Sequence, residues 1–418
     1  MKKSTQRHSS LALTIFSKSI GLGDKKMNFA PRMEELKPSD IREVMKIIAA
    51  KPGTISFAGG LPAPEFFPSA DLGSVVAELL KDKPGQALQY GATLGYQPLR
   101  ESVAKLMERE GVIAEADNII ITAGSQQGLS LSGMMFLDKD DVIIAESPSY
   151  LGALSAFKPT ESQVVSVACD GDGMLMEDLE RVLSETPKAR MIYVIPNFQN
   201  PTGKTWTLER RKQLIEIANR YDLPIIEDNA YGELRYEGER IPSIASLDTE
   251  GRVVHLGSFS KILAPGLRVG WISASPKLIL KFELIKYGAD LQPNELVEMM
   301  IDGYLRKYNL DEHLEKIKGE YKARRDLMID AIRNEFPAEA KWYYPEGGMF
   351  VWIELPERIN TRELLKKAVD KGVAFIPGGS FYPNGGVEYA FRINFSNMQR
   401  EKIVQGMKIL SQLLRDEL

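Results

Sequence analysis

Between residues 118 and 274 the chain alternates short apolar runs with amphipathic stretches, and this rhythm narrows the fold more than any other feature. The runs NIIITAG (118–124), DVIIAES (141–147), QVVSVAC (163–169), RMIYVIP (190–196), LPIIED (223–228), VVHLGS (253–258) and RVGWISA (268–274) read as strands. Helical patterns at 126–137, 150–157, 176–184 and 208–221 separate most of them. Continuous apolar strands joined by helices predict an α/β fold with a mostly parallel sheet covered on both faces. Ligands of such sheets collect at the carboxyl ends of the strands. Those ends hold Gly124–Gln126, Ser147–Pro148, Pro196–Asn200, Asp228 and Ser258–Lys261.

The flanks read differently. PSDIREVMKIIAA (38–50) has helical spacing, 53–68 is an extended Gly/Pro-rich crossing, a helix follows near 71–82, and 84–98 is a Pro/Gly/Tyr loop before the helix in LRESVAKLMERE. After the alternating region a long helical stretch, about 276–334, leads into an α+β region ending in a helix at 398–417. A length of 418 residues predicts two domains. The net charge of −4 and the lack of basic runs argue against a nucleic-acid binder. A single cysteine, Cys169, leaves no internal disulfide framework and suits a reducing compartment, so the expected location is cytoplasmic. Three scattered histidines and one cysteine argue against a His/Cys metal site, and no metal is expected. The apolar run at 11–16 is shorter than a signal core, and 1–26 reads as a flexible extension.

Taken singly, the candidate residues keep alternatives open. Ser125 and Gln126 open a helix after a strand, a place that favours an anion but also suits a plain N-cap. Asp228, ending LPIIED, can hold a metal, cap a turn or pair with a buried cation; Glu227 beside it points the other way because strand side chains alternate. Asn200 lies in the turn PNFQNPTG, and both Asn200–Pro201 and Ser147–Pro148 are candidates for cis peptide bonds. Tyr150 and Tyr231 sit just past strand ends, as packing residues or ligand contacts. Arg392, in FRINFS, alternates with apolar neighbours and has no acid beside it, so a ligand carboxylate is its proposed partner. Lys261, in GSFSKILAPGLRVGW, is a surface charge, a phosphate ligand or a nucleophile. Ser258, Ser260 and Arg268 around it suit phosphate oxygens, and a cationic, partly desolvated setting lowers a lysine's pKa.

Together the motifs NPTG (200–203), IIEDNAYGEL (225–234), GSFSKILAPGLRVGW (257–271) and FRINFS (391–396) resemble the fold-type-I pyridoxal-phosphate-dependent aminotransferases. They stand in that family's order, with 28 positions from Asn200 to Asp228, 33 from Asp228 to Lys261 and 7 from Lys261 to Arg268. SFAGGLPAPEFFP (56–68), LQYGATLGYQPLR (88–100) and TAGSQQGL (122–129) are most similar to the kynurenine/2-aminoadipate branch. The resemblance covers essentially residues 27–418.

The resemblance implies a role for each candidate. Lys261 would hold the cofactor aldehyde as a Schiff base and, once displaced, carry the proton between substrate and cofactor. Asp228 would pair with the pyridine nitrogen, Asn200 and Tyr231 with the ring's 3′-oxygen, and Tyr150 would stack on the ring. Ser125, Gln126, Ser258, Ser260 and Arg268 would hold the phosphate, joined by Tyr90 from the partner subunit of a homodimer. Arg392 would grip the α-carboxylate, and a mobile N-terminal segment with Ser39, Arg42 and Gly60 would admit both aromatic and acidic side chains. The implied substrates are aromatic amino acids, kynurenine, 2-aminoadipate and glutamate, with 2-oxoglutarate as acceptor.

The implied architecture is a large domain with a seven-stranded, mostly parallel sheet (67–308), a smaller α+β domain (309–418) and an N-terminal lid segment (27–66). The same fold also hosts lyases and the effector domains of transcription regulators. The short leader argues against the winged helix that such regulators carry.

Overall fold

The computed structural model describes residues 28–35 and 40–418. The chain divides between Lys37 and Pro38; the first unit contributes one helical turn, Arg32–Glu35. In the second unit the short strand Ile55–Ser56 (β1) precedes the seven predicted strands. These are Ile119–Thr122 (β2), Val142–Ser147 (β3), Gln163–Ala168 (β4), Ala189–Val194 (β5), Ile225–Asp228 (β6), Val253–Ser258 (β7) and Gly270–Ser273 (β8). They form one sheet in the order β2-β8-β7-β6-β5-β3-β4.

Only β8 runs against its neighbours, pairing antiparallel with both β2 and β7. The connection explains it. A parallel crossover needs a dozen or more residues and usually a helix. Between Ser258 and Gly270 the chain has only the 3₁₀ turn Pro265–Leu267, so it turns back beside the strand it left, with Ser258 opposite Gly270. That return keeps Lys261 and Arg268 on one connection at the carboxyl end of β7.

Both sheet faces are covered, as the apolar runs predict. Ile120, Ile143, Ile226, Val254 and Leu256 pack on one side with Leu129, Phe157 and Phe282. Ile144, Ile192, Val194 and Ile225 pack on the other with Leu179, Leu214 and Ile217. A second, antiparallel sheet is built from Lys341–Trp342 (β9), Phe350–Glu354 (β10), Ile376–Pro377 (β12) and Ala390–Asn394 (β13), in the order β12-β13-β10-β9. Val373–Ala374 (β11) pairs parallel with β1, tying Ile55 to Val373.

Two expectations change. The stretch read as a loop from 84 opens with a helical turn, Pro84–Ala87, whose proline stands at the first helical position, where its missing N–H costs no hydrogen bond. The long helical stretch is three helices, Pro276–Asp290, Glu295–Lys307 and Leu310–Glu335. Leu291 breaks the first at a φ of 68°, and the side chains of Asn294 and Asn309 cap the next two.

Strand alternation sends Glu227 away from Asp228, as read from the sequence. Its carboxylate accepts from Ser243 Oγ at 2.6 Å and from the amides of Ile244 and Ala245 at 2.9 Å each. Glu227→Ala leaves the buried Ser243 hydroxyl and Ile244 amide without this acceptor and should lower the unfolding free energy by about 3 kcal/mol, read from denaturant titration.

Candidate active site

The residues singled out at the strand ends converge on one cavity of about 360 Å³. Asp228, the last residue of β6, turns its carboxylate into it, and Asn200 enters from the turn after β5. Both Asn200–Pro201 and Ser147–Pro148 are cis. Lys261, Ser258, Ser260 and Arg268 come from the β7–β8 return. Ser125 and Gln126 form the first turn of helix Ser125–Phe136. Gly124 before it has a φ of 81°, and a Cβ there would stand 2.7 Å from Arg268 Nη2. Only glycine lets the guanidinium lie against that helix start. Tyr150, Tyr231, Gly60 and Arg392 complete the predicted members.

Hydrogen bonds link these groups into a frame. Asn200 Nδ2 donates to Tyr231 Oη at 3.1 Å, while Asn200 Oδ1 accepts from Arg392 Nη1 at 2.7 Å. Arg392 Nη2 donates to Ala58 O at 2.9 Å, and its guanidinium lies 4.2 Å from the Phe350 ring centre and 5.2 Å from that of Phe381. Lys261 Nζ donates to Gly60 O at 2.9 Å. Gln126 Nε2 donates to Gly152 O, and Arg268 Nη2 to Ala123 O.

The cavity wall carries three cations, Lys261, Arg268 and Arg392, against one carboxylate, Asp228. Burial, with Arg392 and Arg268 nearby, pushes the Lys261 amine down to about 8. Burial lifts the Asp228 carboxyl to about 6 against the opposing pull of Tyr193, His255 and Lys261. Arg392 is pushed down by burial to about 10 and so stays charged at neutral pH.

One member was not legible as a site residue. Tyr193, inside the apolar run RMIYVIP, donates its hydroxyl to Asp228 Oδ2 at 3.1 Å. Its place follows from β5 lying beside β6, with Tyr193 opposite Ile226, and the sequence shows only a strand tyrosine. Ile195, Ala230 and Pro265 also line the cavity unforeseen. One predicted member is not gathered there, and two others are not described at the side-chain level. Tyr90 is 78% exposed and away from the lining, Ser39 lies outside the described residues, and of Arg42 only the backbone, within helix Asp40–Ala49, is described.

Two buried polar atoms in the cavity have no partner among the described residues: Asp228 Oδ1, an acceptor, and Arg392 Nε, a donor. A ring N–H satisfies the first. A phosphate matches the helix start at Ser125 with Arg268 and the serines, and a neutralisable amine faces the same space. These groups fit pyridoxal 5′-phosphate. No cluster of three or more metal-ligating side chains occurs among the described residues.

The sequence profile of the aminotransferase class I and II family matches residues 67–410. The chain belongs to that family. It is similar to aromatic-amino-acid aminotransferase 1 of Thermococcus litoralis, 44% identical over 400 residues, covering 94% of this chain and 96% of the relative. It is likewise similar to the 2-aminoadipate transaminase of Thermus thermophilus, 39% identical over 91% of this chain and 94% of that protein. The crystal structure of Pyrococcus horikoshii kynurenine aminotransferase, in complex with PMP, superposes with a TM-score of 0.90 at 41% identity, covering 95% of this chain and 99% of that one. The protein is thus a pyridoxal-phosphate-dependent aminotransferase of fold type I.

The lowered amine has a measurable consequence in the cofactor-free protein. At pH 8 a lysine of ordinary pKa is less than about 1% neutral, whereas Lys261 is neutral in roughly half the molecules. A limiting amount of a small amine-directed acylating reagent at pH 8 should therefore modify Lys261 ahead of the exposed lysines, as read by peptide mass spectrometry.

Proposed function

We propose that the enzyme moves the amino group of aromatic amino acids, kynurenine, 2-aminoadipate and glutamate to 2-oxoglutarate. The observation that carries this reading is the cavity's charge: three cations and one carboxylate match a phosphate, a protonated ring and an α-carboxylate held together. Pyridoxal phosphate, when bound, supplies an aldehyde that takes the amino group and a ring that draws off electrons.

The chain's residues do the rest. Asp228 Oδ1 holds the proton on the ring nitrogen while Tyr193 restrains Oδ2. Tyr231 and Asn200, already paired, would hold the ring's 3′-oxygen, and Tyr150 would stack on the ring. Ser125, Gln126, Ser258, Ser260 and Arg268 grip the phosphate. Lys261 Nζ would hold the aldehyde carbon and, once displaced by an amino acid, would accept the proton from the substrate Cα. Its depressed pKa keeps a neutral amine available for that transfer. Arg392, held by Asn200, Ala58 and the flanking Phe350 and Phe381 rings, binds the α-carboxylate in a fixed orientation.

Breadth follows from what the wall omits. Its three cations are already committed, so the described lining offers no fixed charge to a distal carboxylate. Arg42 and Ser39, on the N-terminal segment with Gly60, are assigned that task, leaving the space open to aromatic rings. The names of the relatives, spanning aromatic, kynurenine and 2-aminoadipate substrates, support the same range.

We assign residues 67–308 to a large domain and 309–418 to a small one, with 27–66 joining the latter; the β1–β11 pairing supports this. A homodimer is supported by exposed Leu280, Leu284 and Tyr287 along one face of helix Pro276–Asp290, and by exposed Leu88 and Tyr90. No helix among the described residues is long and apolar enough to cross a membrane, and a cytoplasmic location is proposed from the single cysteine.

A matrix of amino donors against oxo-acid acceptors should give turnover with both aromatic and acidic donors. Activity on one side-chain class alone overturns the breadth, and release of ammonia or pyruvate overturns transfer. Arg392→Gln should raise KM for every donor by about 100-fold, the loss of a charge-assisted bidentate contact. In sedimentation the protein should run as a dimer, and Tyr90→Phe should weaken cofactor binding about tenfold, the loss of one hydrogen bond to a charged group.

A further inference from the structure

The motif TAGSQQGL contains two glutamines, and only Gln126 has a task in the site. Gln127, the third residue of helix Ser125–Phe136, turns its side chain back onto the turn that opens that helix. Its Oε1 accepts from the amide of Ala123 at 2.8 Å. The carbonyl of the same Ala123 accepts from Arg268 Nη2 at 3.0 Å. One residue between β2 and the helix is thus held at its N–H by Gln127 and at its C=O by Arg268. Thr122 Oγ1 closes the turn further, donating to Gly124 O at 3.0 Å.

Helix Pro276–Asp290 supplies what holds Gln127. Gln127 Nε2 donates to Asp290 Oδ2 at 2.6 Å, and Lys286 Nζ donates to Gln127 Oε1 at 3.4 Å. Lys286 Nζ also donates to both Asp290 oxygens, at 2.7 and 2.8 Å. The Lys286 side chain is 0% exposed, that of Asp290 31%. A carboxylate only accepts and an ammonium only donates, so the pair permits one orientation of the amide between them. Its nitrogen faces Asp290 and its oxygen faces Lys286, which leaves that oxygen for the Ala123 amide.

Helix stability does not account for the pair. A carboxylate on the last residue of a helix opposes the helix dipole, and a lysine four positions before an acid is the weaker order of the two. Enclosing the ammonium adds a desolvation cost. The arrangement is unfavourable for its own helix and well matched to Gln127.

We propose that Gln127, oriented by the Lys286–Asp290 ion pair, is a positioning residue for the cofactor phosphate: it fixes the Ala123 peptide, and through it both the helix start at Ser125 and the guanidinium of Arg268. The inference rests on the reading of Ser125, Gln126, Ser258, Ser260 and Arg268 as the phosphate's grip. Gln127, Lys286 and Asp290 are not part of the cavity lining, so they act through the turn and not by contact.

The test compares pyridoxal 5′-phosphate with pyridoxal, which lacks the phosphate, as ligands of the full chain after removal of cofactor, read by quenching of tryptophan fluorescence. The ratio of the two dissociation constants isolates the phosphate's share of binding. Gln127→Leu should weaken pyridoxal 5′-phosphate about tenfold and pyridoxal by less than about twofold. Asp290→Asn should move the ratio the same way by about threefold, and the double variant should be no worse than Gln127→Leu alone, because Asp290 acts through Gln127. A merely structural glutamine lowers thermal stability and leaves the ratio unchanged. An unmoved ratio in a folded Gln127→Leu overturns the proposal, and so do losses that add in the double variant. If Gln127→Leu does not fold, Asp290→Asn decides alone: a moved ratio supports the proposal and an unmoved one overturns it. Failure of the underlying reading looks different: Arg268→Gln then leaves the ratio as it is in the unmodified protein.

Discussion

Parallel hydrogen bonding of β6 to β5 and β7 is the constraint on which the site depends, because it brings three chain segments to one edge of the sheet with their carboxyl ends level. Asn200, Asp228 and Lys261 are far apart in sequence and meet only there. The antiparallel return of β8 adds the fourth element, delivering Arg268 to the helix start at Ser125, where Gly124 makes room for it. From the second sheet comes Arg392, on β13. β5, β6, β7, β8 and β13 all lie inside their sheets and are largely buried, so the groups they carry are held by the core itself.

That rigidity allows unfavourable burial to be put to chemical use. A lysine enclosed beside two arginines loses affinity for its proton, and a carboxylate enclosed beneath them is drawn the opposite way by desolvation. Neither group would be kept so in a solvated loop. The frame of Tyr193, Asn200 and Tyr231 keeps one Asp228 oxygen and one arginine nitrogen unsatisfied in place, ready for a ligand that supplies the missing partners.

The seven strands, their intervening helices and both cis prolines were legible because each leaves a local mark: an apolar run, a periodic face, an X–Pro step in a turn. The helix breaks at Leu291 and before Asn309 were missed although their caps are ordinary, since helical periodicity persists across a short interruption. Tyr193 was missed for a different reason. A tyrosine in a buried strand reads as packing until its neighbour strand is known, and strand adjacency is a long-range fact.

By itself the sequence determined the secondary elements, the parallel character of the sheet and the identity of most groups in the site, because backbone preference and side-chain chemistry are local properties. Only the tertiary structure decided which of those groups face one another, which buried atoms remain without a partner, and how far each acid or base departs from its ordinary pKa. These depend on distance and desolvation, and both are fixed when strands far apart in the chain pack side by side.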